Sequence, residues 1–123
     1  VCVPTNDMLT QVASRLAKKG ITSTEITADG PRDDEGVHIG TMYRFKGLEY
    51  QRMVIAGVQR GLLPGASVEA LRRTDPSRYQ AKCKRARSLL FVAATRARDA
   101  LTIVWHGDPS PLLGKLSVTA SAR

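Results

Sequence analysis

The chain has only two cysteines, Cys2 and Cys83, and they show neither metal-ligand nor redox spacing. That excludes a disulfide framework and a CxxC centre, and it fits reduced thiols in a cytosolic protein. No apolar run approaches the roughly 18 to 20 residues of a membrane helix, and no basic-then-apolar leader opens the chain. No GxxxxGK[ST] segment occurs, so the chain has no P-loop of its own to cradle a nucleoside triphosphate. It also lacks an initial methionine. Val1 opens a stretch, VCVPT, that already reads as a strand, as expected of a piece of a longer protein.

What is present suits one soluble domain. The 123 residues are 42% apolar and 24% charged, enough to bury a core without staples. The domain is expected over residues 1–115, with 116–123 (LSVTASAR) a small, polar, frayed tail. The net charge of +8 is unevenly spread: residues 44–98 carry thirteen basic and three acidic side chains, whereas residues 1–43 carry four and six. So basic a segment is either a footprint for the phosphates of a nucleic acid or nucleotide, or a solvated face.

Local signals predict an alternation of strands and helices. Thr5, Asn6 and Asp7 can cap a helix whose apolar positions are Met8, Leu9, Val12, Ala13 and Leu16, with Gly20 as its stop. ITSTEIT reads as a weak strand and ADGPRDDEG as loop. VHIGTM is a strand, RFKGLEY a loop or short helical turn, and RMVIAGV an apolar strand covered on both faces. GLLPGAS reads as loop. Asp75 and Pro76 then open a long helix expected to reach about Arg98, and Leu101–Trp105 is the last strand. The order implies an α/β fold, a mostly parallel sheet flanked by helices. Ligands in such sheets gather beyond the carboxyl ends of strands, which points to the RFKGLEY and GLLP loops.

Two stretches could carry chemistry. In LLFVAATRARDALTIVW, helical spacing puts Leu89, Val92, Ala93, Arg96 and Ala97 on one arc, with Arg98 nearly opposite. An arginine on an apolar arc must be paired or must emerge where an anion meets it; on geometry alone it reads as a guanidinium satisfying carbonyls near a helix end. GTMYRFKGLEY gathers Thr41, Tyr43, Arg44, Lys46, Gly47 and Glu49 after a strand. Hydroxyls and cations there can hold phosphates, an aromatic can stack on a base, and a carboxylate can accept from a sugar hydroxyl. The plain alternative is an ordinary β-α corner with a solvated turn.

Taken together and in order, these stretches resemble motifs V (about 37–50) and VI (about 85–98) of UvrD/Rep-type superfamily 1 helicases. The resemblance implies the second RecA-like motor domain (2A), a P-loop NTPase fold lacking its own P-loop, of an ATP-dependent 3′-to-5′ DNA helicase. Arg96 would then be an arginine finger toward the γ-phosphate, and Glu49 would contact the nucleotide sugar. Gly47 would permit close backbone approach, and Arg87 would orient the site. Thr41 and Tyr43 match residues along the single-stranded DNA path, joined by Arg44 and Lys46; Tyr43 stands where the family has histidine, and so keeps a stacking surface without the cation. Phe91 stands where the family often has tyrosine and is expected to pack. Mg²⁺ would be held by an N-terminal RecA-like domain of the same parent, so this chain alone is expected to be inactive and to hold no metal. The implied partners are that domain and single-stranded DNA, with no membrane, in the cytoplasm. The alternative is a non-catalytic, helicase-like module that binds nucleic acid or protein through the basic segment.

Overall fold

The computed structural model describes residues 1–114; the tail expected at 116–123 lies outside the described residues. Among the described residues six strands form one sheet: β1 (Cys2–Val3), β2 (Ser23–Thr27), β3 (Gly30–Pro31), β4 (Val37–Thr41), β5 (Tyr50–Ala56) and β6 (Ala97–Val104). Their order is β3-β2-β4-β1-β5-β6, parallel throughout except for the β2–β3 hairpin. The hairpin is an addition to the sequence reading: β3 lies inside ADGPRDDEG, which composition marks as loop. Thr27 closes it, its hydroxyl donating to the Gly30 carbonyl at 2.9 Å.

Helix α1 (Asn6–Lys18) begins where its cap predicts, with the Thr5 hydroxyl accepting from Met8 N–H at 3.2 Å. The chain leaves the helix through Gly20, at φ +74°. After β5 come two single-turn helices, α2 (Ala66–Glu69), which overlaps the end of GLLPGAS, and α3 (Leu71–Thr74), in a stretch the sequence reading left unassigned. Asp75 then caps α4 (Pro76–Ala94), its carboxylate accepting from Arg78 N–H at 3.2 Å.

β1 is two residues long but lies at the centre of the sheet, where Cys2 and Val3 are fully buried. Cys2 shares a buried cluster with Ile26, Met53, Ile55 and Val58. α4 closes one face through Leu90 and Ala93, over a 3₁₀ turn at Met42–Phe45 that drives Met42 and Phe45 into the core. Of the two readings given for RFKGLEY, loop or short helical turn, the turn is present, starting earlier at Met42, and it plugs the core with Met42 and Phe45. The GLLP loop is core as well: Leu63 and Pro64 are buried, and the Ser110 hydroxyl donates to the Leu63 carbonyl. That loop satisfies part of its backbone inside the protein, through the Ser110 hydroxyl and the Gln59 carbonyl.

Candidate nucleotide and nucleic-acid surfaces

Segment 42–49 carries the chain from one end of the sheet to the other. Thr41 pairs with Val3 at the carboxyl end, whereas Tyr50 pairs with Ala97 at the amino end. Cys2 faces both Gly40 and Ile55, so Tyr50 begins five residues below that level, roughly 16 Å along the strands at about 3.3 Å per residue. The expectation that both halves of GTMYRFKGLEY gather beyond strand carboxyl ends thus holds for Thr41 and Tyr43 but not for Glu49. Gly47 makes the descent at φ +82°, and a Cβ there would meet nothing within 4 Å. Within this chain the position asks for glycine through its backbone angle, not through crowding.

At the amino end the two sequence stretches meet directly. Tyr50 N–H donates to the Arg96 carbonyl at 2.9 Å, which sets Glu49 and Arg96 on adjoining strand starts. Arg96 is not on a helical arc. α4 ends at Ala94, one turn earlier than its periodicity suggests, and β6 begins at Ala97. The Thr95 hydroxyl donates to the Val92 carbonyl at 2.9 Å, and Arg96 Nε donates to the same carbonyl at 3.2 Å. A second guanidinium nitrogen donates to Thr95 Oγ1 at 3.2 Å. These side chains satisfy the last carbonyls and release the backbone to pair with β5. The same early stop moves Arg98 into the strand, where it forms an exposed ion pair with Asp99 at 3.5 Å. Glu49 is exposed and lines a shallow surface hollow of about 510 Å³ with Tyr50, Arg52 and Arg98.

Arg87 stays apart from this cluster. It lies nine residues before Arg96, roughly 13 Å along the helix axis. It lines instead a groove of about 850 Å³ with Tyr79, Cys83, Lys84, Phe91 and Leu112. Phe91 is 68% exposed there, which corrects the expectation that it packs: Leu90 and Ala93 take the inward face of α4, and Phe91 falls between them on the outside. α4 carries Arg78, Lys82, Lys84, Arg85 and Arg87 with no acidic residue, all of them exposed.

At the carboxyl end, Thr41 and Arg44 line a hollow of about 230 Å³ with Asn6, Glu25 and Arg32. Tyr43, Arg44 and Lys46 line a second, of about 390 Å³, with Thr27, Asp29 and Gly30. Arg44 belongs to both, so the four residues read as one group do share a surface. Tyr43 is 62% exposed, its ring free to stack. Asn6 and Arg32 were not legible as members, because Arg32 lies in an acidic loop and arrives only through the β2–β3 hairpin. Glu25 and Asp29 give the same surface carboxylates that oppose a phosphate.

Burial raises the Tyr50 phenol above its ordinary pKa, and burial pushes the Cys2 thiol up to about 12. Both cysteines are free and buried, so Cys2 is a protonated core side chain and not a nucleophile. Among the described residues no group of three His, Cys, Asp or Glu is placed to hold a metal ion, and no helix is long and apolar enough to cross a membrane.

Residues 6–108 match the model of the UvrD-like helicase C-terminal domain. Over 70 residues the chain is 37% identical to a Bacillus subtilis (strain 168) protein named for an ATP-dependent DNA helicase, YjcD; the match covers 56% of this chain and 9% of that protein. A similar fold occurs in the crystal structure of the C-terminal domain of a possible DNA helicase from Lactobacillus plantarum WCFS1. The TM-score is 0.65 at 22% identity, over 93% of this chain and 59% of that one.

Proposed function

The chain belongs to the UvrD-like helicase C-terminal domain family, and on that premise we propose that it is the second RecA-like motor domain of a 3′-to-5′ ATP-dependent DNA helicase. The observation that carries this reading is the Tyr50–Arg96 backbone bond, which joins the KGLEY and TRA stretches at one end of the sheet. Thr41, Tyr43, Arg44 and Lys46 occupy the other end. Two chemically different surfaces at opposite ends suit a domain that couples a nucleotide to a strand of DNA.

In this reading Glu49 accepts from the ribose hydroxyls of ATP and Arg96 meets its γ-phosphate. The donor set fits half of such a site: an exposed carboxylate, a half-exposed guanidinium and a surface open to a second domain. Mg²⁺ and the P-loop belong to that second domain, a RecA-like unit of the same parent, in the cytoplasm. Arg96 exchanges its bonds to Val92 and Thr95 for phosphate oxygens when the domains close, so the finger is parked until then. An arginine delivered only in the closed state stabilises charge in the transition state more than in the ground state. Arg87 faces the α4 groove, and its part in orienting the nucleotide requires that groove to border the closed cleft.

The test is Arg96→Ala in the full-length helicase. ATP hydrolysis should fall by about 10³-fold or more while ATP affinity stays within about tenfold. Equal losses of binding and turnover would make Arg96 a ground-state anchor instead. The seven exposed cations from Arg72 to Arg87 favour a second reading, a non-catalytic module that holds nucleic acid along α3 and α4. It requires DNA affinity that falls steeply with salt and survives neutralisation of Arg44 and Lys46 but not of the α4 cations.

A further inference from the structure

We infer that His38 and Tyr50 form a positioning pair that holds Glu49 and Arg96 in register for ATP hydrolysis, an inference that rests on the motor-domain reading above. The start of β5 needs such a device. Tyr50 pairs with Ala97, but the next pair is Arg52 with Ala100, so three residues of β6 span the interval that two span on β5. This bulge interrupts the ladder and leaves the Tyr50–Ala97 end outside the regular pairing that runs from Arg52 to Ala56. Arg96 joins β5 only through its carbonyl, at that detached end.

Tyr50 is anchored there from the other side of the sheet's centre. Its phenol oxygen and His38 Nδ1 share a hydrogen bond of 2.7 Å, and the two rings meet edge-on at 5.5 Å. Phe45, fully buried, packs against the same phenol ring at 5.9 Å. His38 sits on β4, inside the parallel pairing of Thr24 with His38 and its neighbours, and so is itself held by regular sheet. The chain of contacts is therefore β4 backbone, His38 ring, Tyr50 phenol, Tyr50 N–H, Arg96 carbonyl. His38 Nε2 is buried with no hydrogen-bond partner among the described residues, so the imidazole has one polar partner here, the phenol. Tyr50 borders the same hollow as Glu49, and its role here is to act through Arg96.

The test uses the full-length helicase and steady-state ATP hydrolysis in the presence of single-stranded DNA. Tyr50→Phe removes one oxygen and keeps the ring. It should lower kcat by roughly ten- to a hundredfold with the ATP KM changed less than about twofold, the expected cost of a small displacement of a catalytic group. His38→Ala should match it, and the double variant should be no worse than either single one, because one device is removed in each case. His38→Asn, which restores a polar atom near the Nδ1 position, should recover kcat to within about threefold. A loss of thermal stability with kcat unchanged in the folded enzyme, or a KM effect alone, or additive losses in the double variant, overturns the inference. Arg96→Ala measured alongside separates the two claims. If it leaves hydrolysis intact, the motor reading itself fails; if it abolishes hydrolysis while Tyr50→Phe does nothing, only the positioning pair fails.

Discussion

The amide of Tyr50 donates to the carbonyl of Arg96 at 2.9 Å, across 45 residues of intervening sequence. Through that bond a turn ending in Glu49 and a helix ending at Ala94 lead into neighbouring parallel strands. The Arg96 guanidinium meanwhile folds back over the end of its own helix. Backbone and side chain thus have separate tasks, the first fixed in the sheet and the second available to leave.

Because it is available, removing it should cost the isolated fold little. Arg96→Ala is expected to lower stability by about 1 kcal/mol or less, the worth of two long hydrogen bonds at a half-exposed site. Urea denaturation of the chain measures this. A loss of several kcal/mol would mean that Arg96 is a structural cap and is not free to reach a phosphate.

The carboxyl-end surface makes a separate claim. In the full-length helicase, Lys46→Ala should reduce the salt dependence of single-stranded DNA binding by about 0.7 in log–log slope, as expected for one lost phosphate contact. Tyr43→Ala should weaken binding by roughly 1 to 3 kcal/mol with the slope nearly unchanged, since a stacked base is neutral where it touches the ring. Fluorescence anisotropy across a salt series distinguishes the two. Identical behaviour of both variants would count against the assigned roles.

Gly57, just after β5, lies close against Met8 of α1. Its φ is +78°, and a Cβ there would lie 2.5 Å from Met8 Sδ and 3.0 Å from Pro4 Cδ. Gly57→Ala should destabilise the chain by roughly 1 to 3 kcal/mol, combining backbone strain with overpacking. Gly47→Ala meets no neighbour within 4 Å and should cost only the strain of its positive φ. Denaturation midpoints of the two variants should therefore differ, with Gly57→Ala the lower.

Cys2 predicts an alkaline limit. Below pH 9.0 the thiol is protonated in both the folded and the unfolded chain, and its contribution is fully present. As pH rises past 9.0 the unfolded chain ionises first, because burial holds the folded thiol up to about 12. Stability should fall across that window. Cys2→Ala should flatten the decline between pH 9 and pH 11 in urea titrations, whatever it does to stability at neutral pH. An unchanged slope would show that Cys2 is hydrated in the folded protein.

The helix starts were legible because their signals are local. Thr5 and Asp75 each accept from an amide three residues on, and nothing distant is needed to make that bond. The end of α4 was not. Periodicity carries the helix through Arg96 and Ala97, since those residues fit an apolar arc equally well. What stops it is the offer of strand partners on β5 from Tyr50 to Ala56, a competitor that a window of sequence does not contain. Phe91 was misplaced for a related reason: an aromatic in an apolar run looks buried until the facing element is known.

Residue order alone determined the alternating elements, the absence of a P-loop, the basic middle of the chain and the paired motifs that mark its family. Tertiary structure decided that two-residue β1 lies at the sheet's centre, that Glu49 and Arg96 share its amino end, and that Arg32 joins Thr41 and Arg44 at the other. It also decided that His38, on β4, reaches the Tyr50 phenol next to the β5–β6 bulge. The physical reason is one of range. Caps and turns are satisfied within a few residues, whereas strand order and register are chosen by which pairings bury Cys2, Ile26, Met53 and Ile55 together.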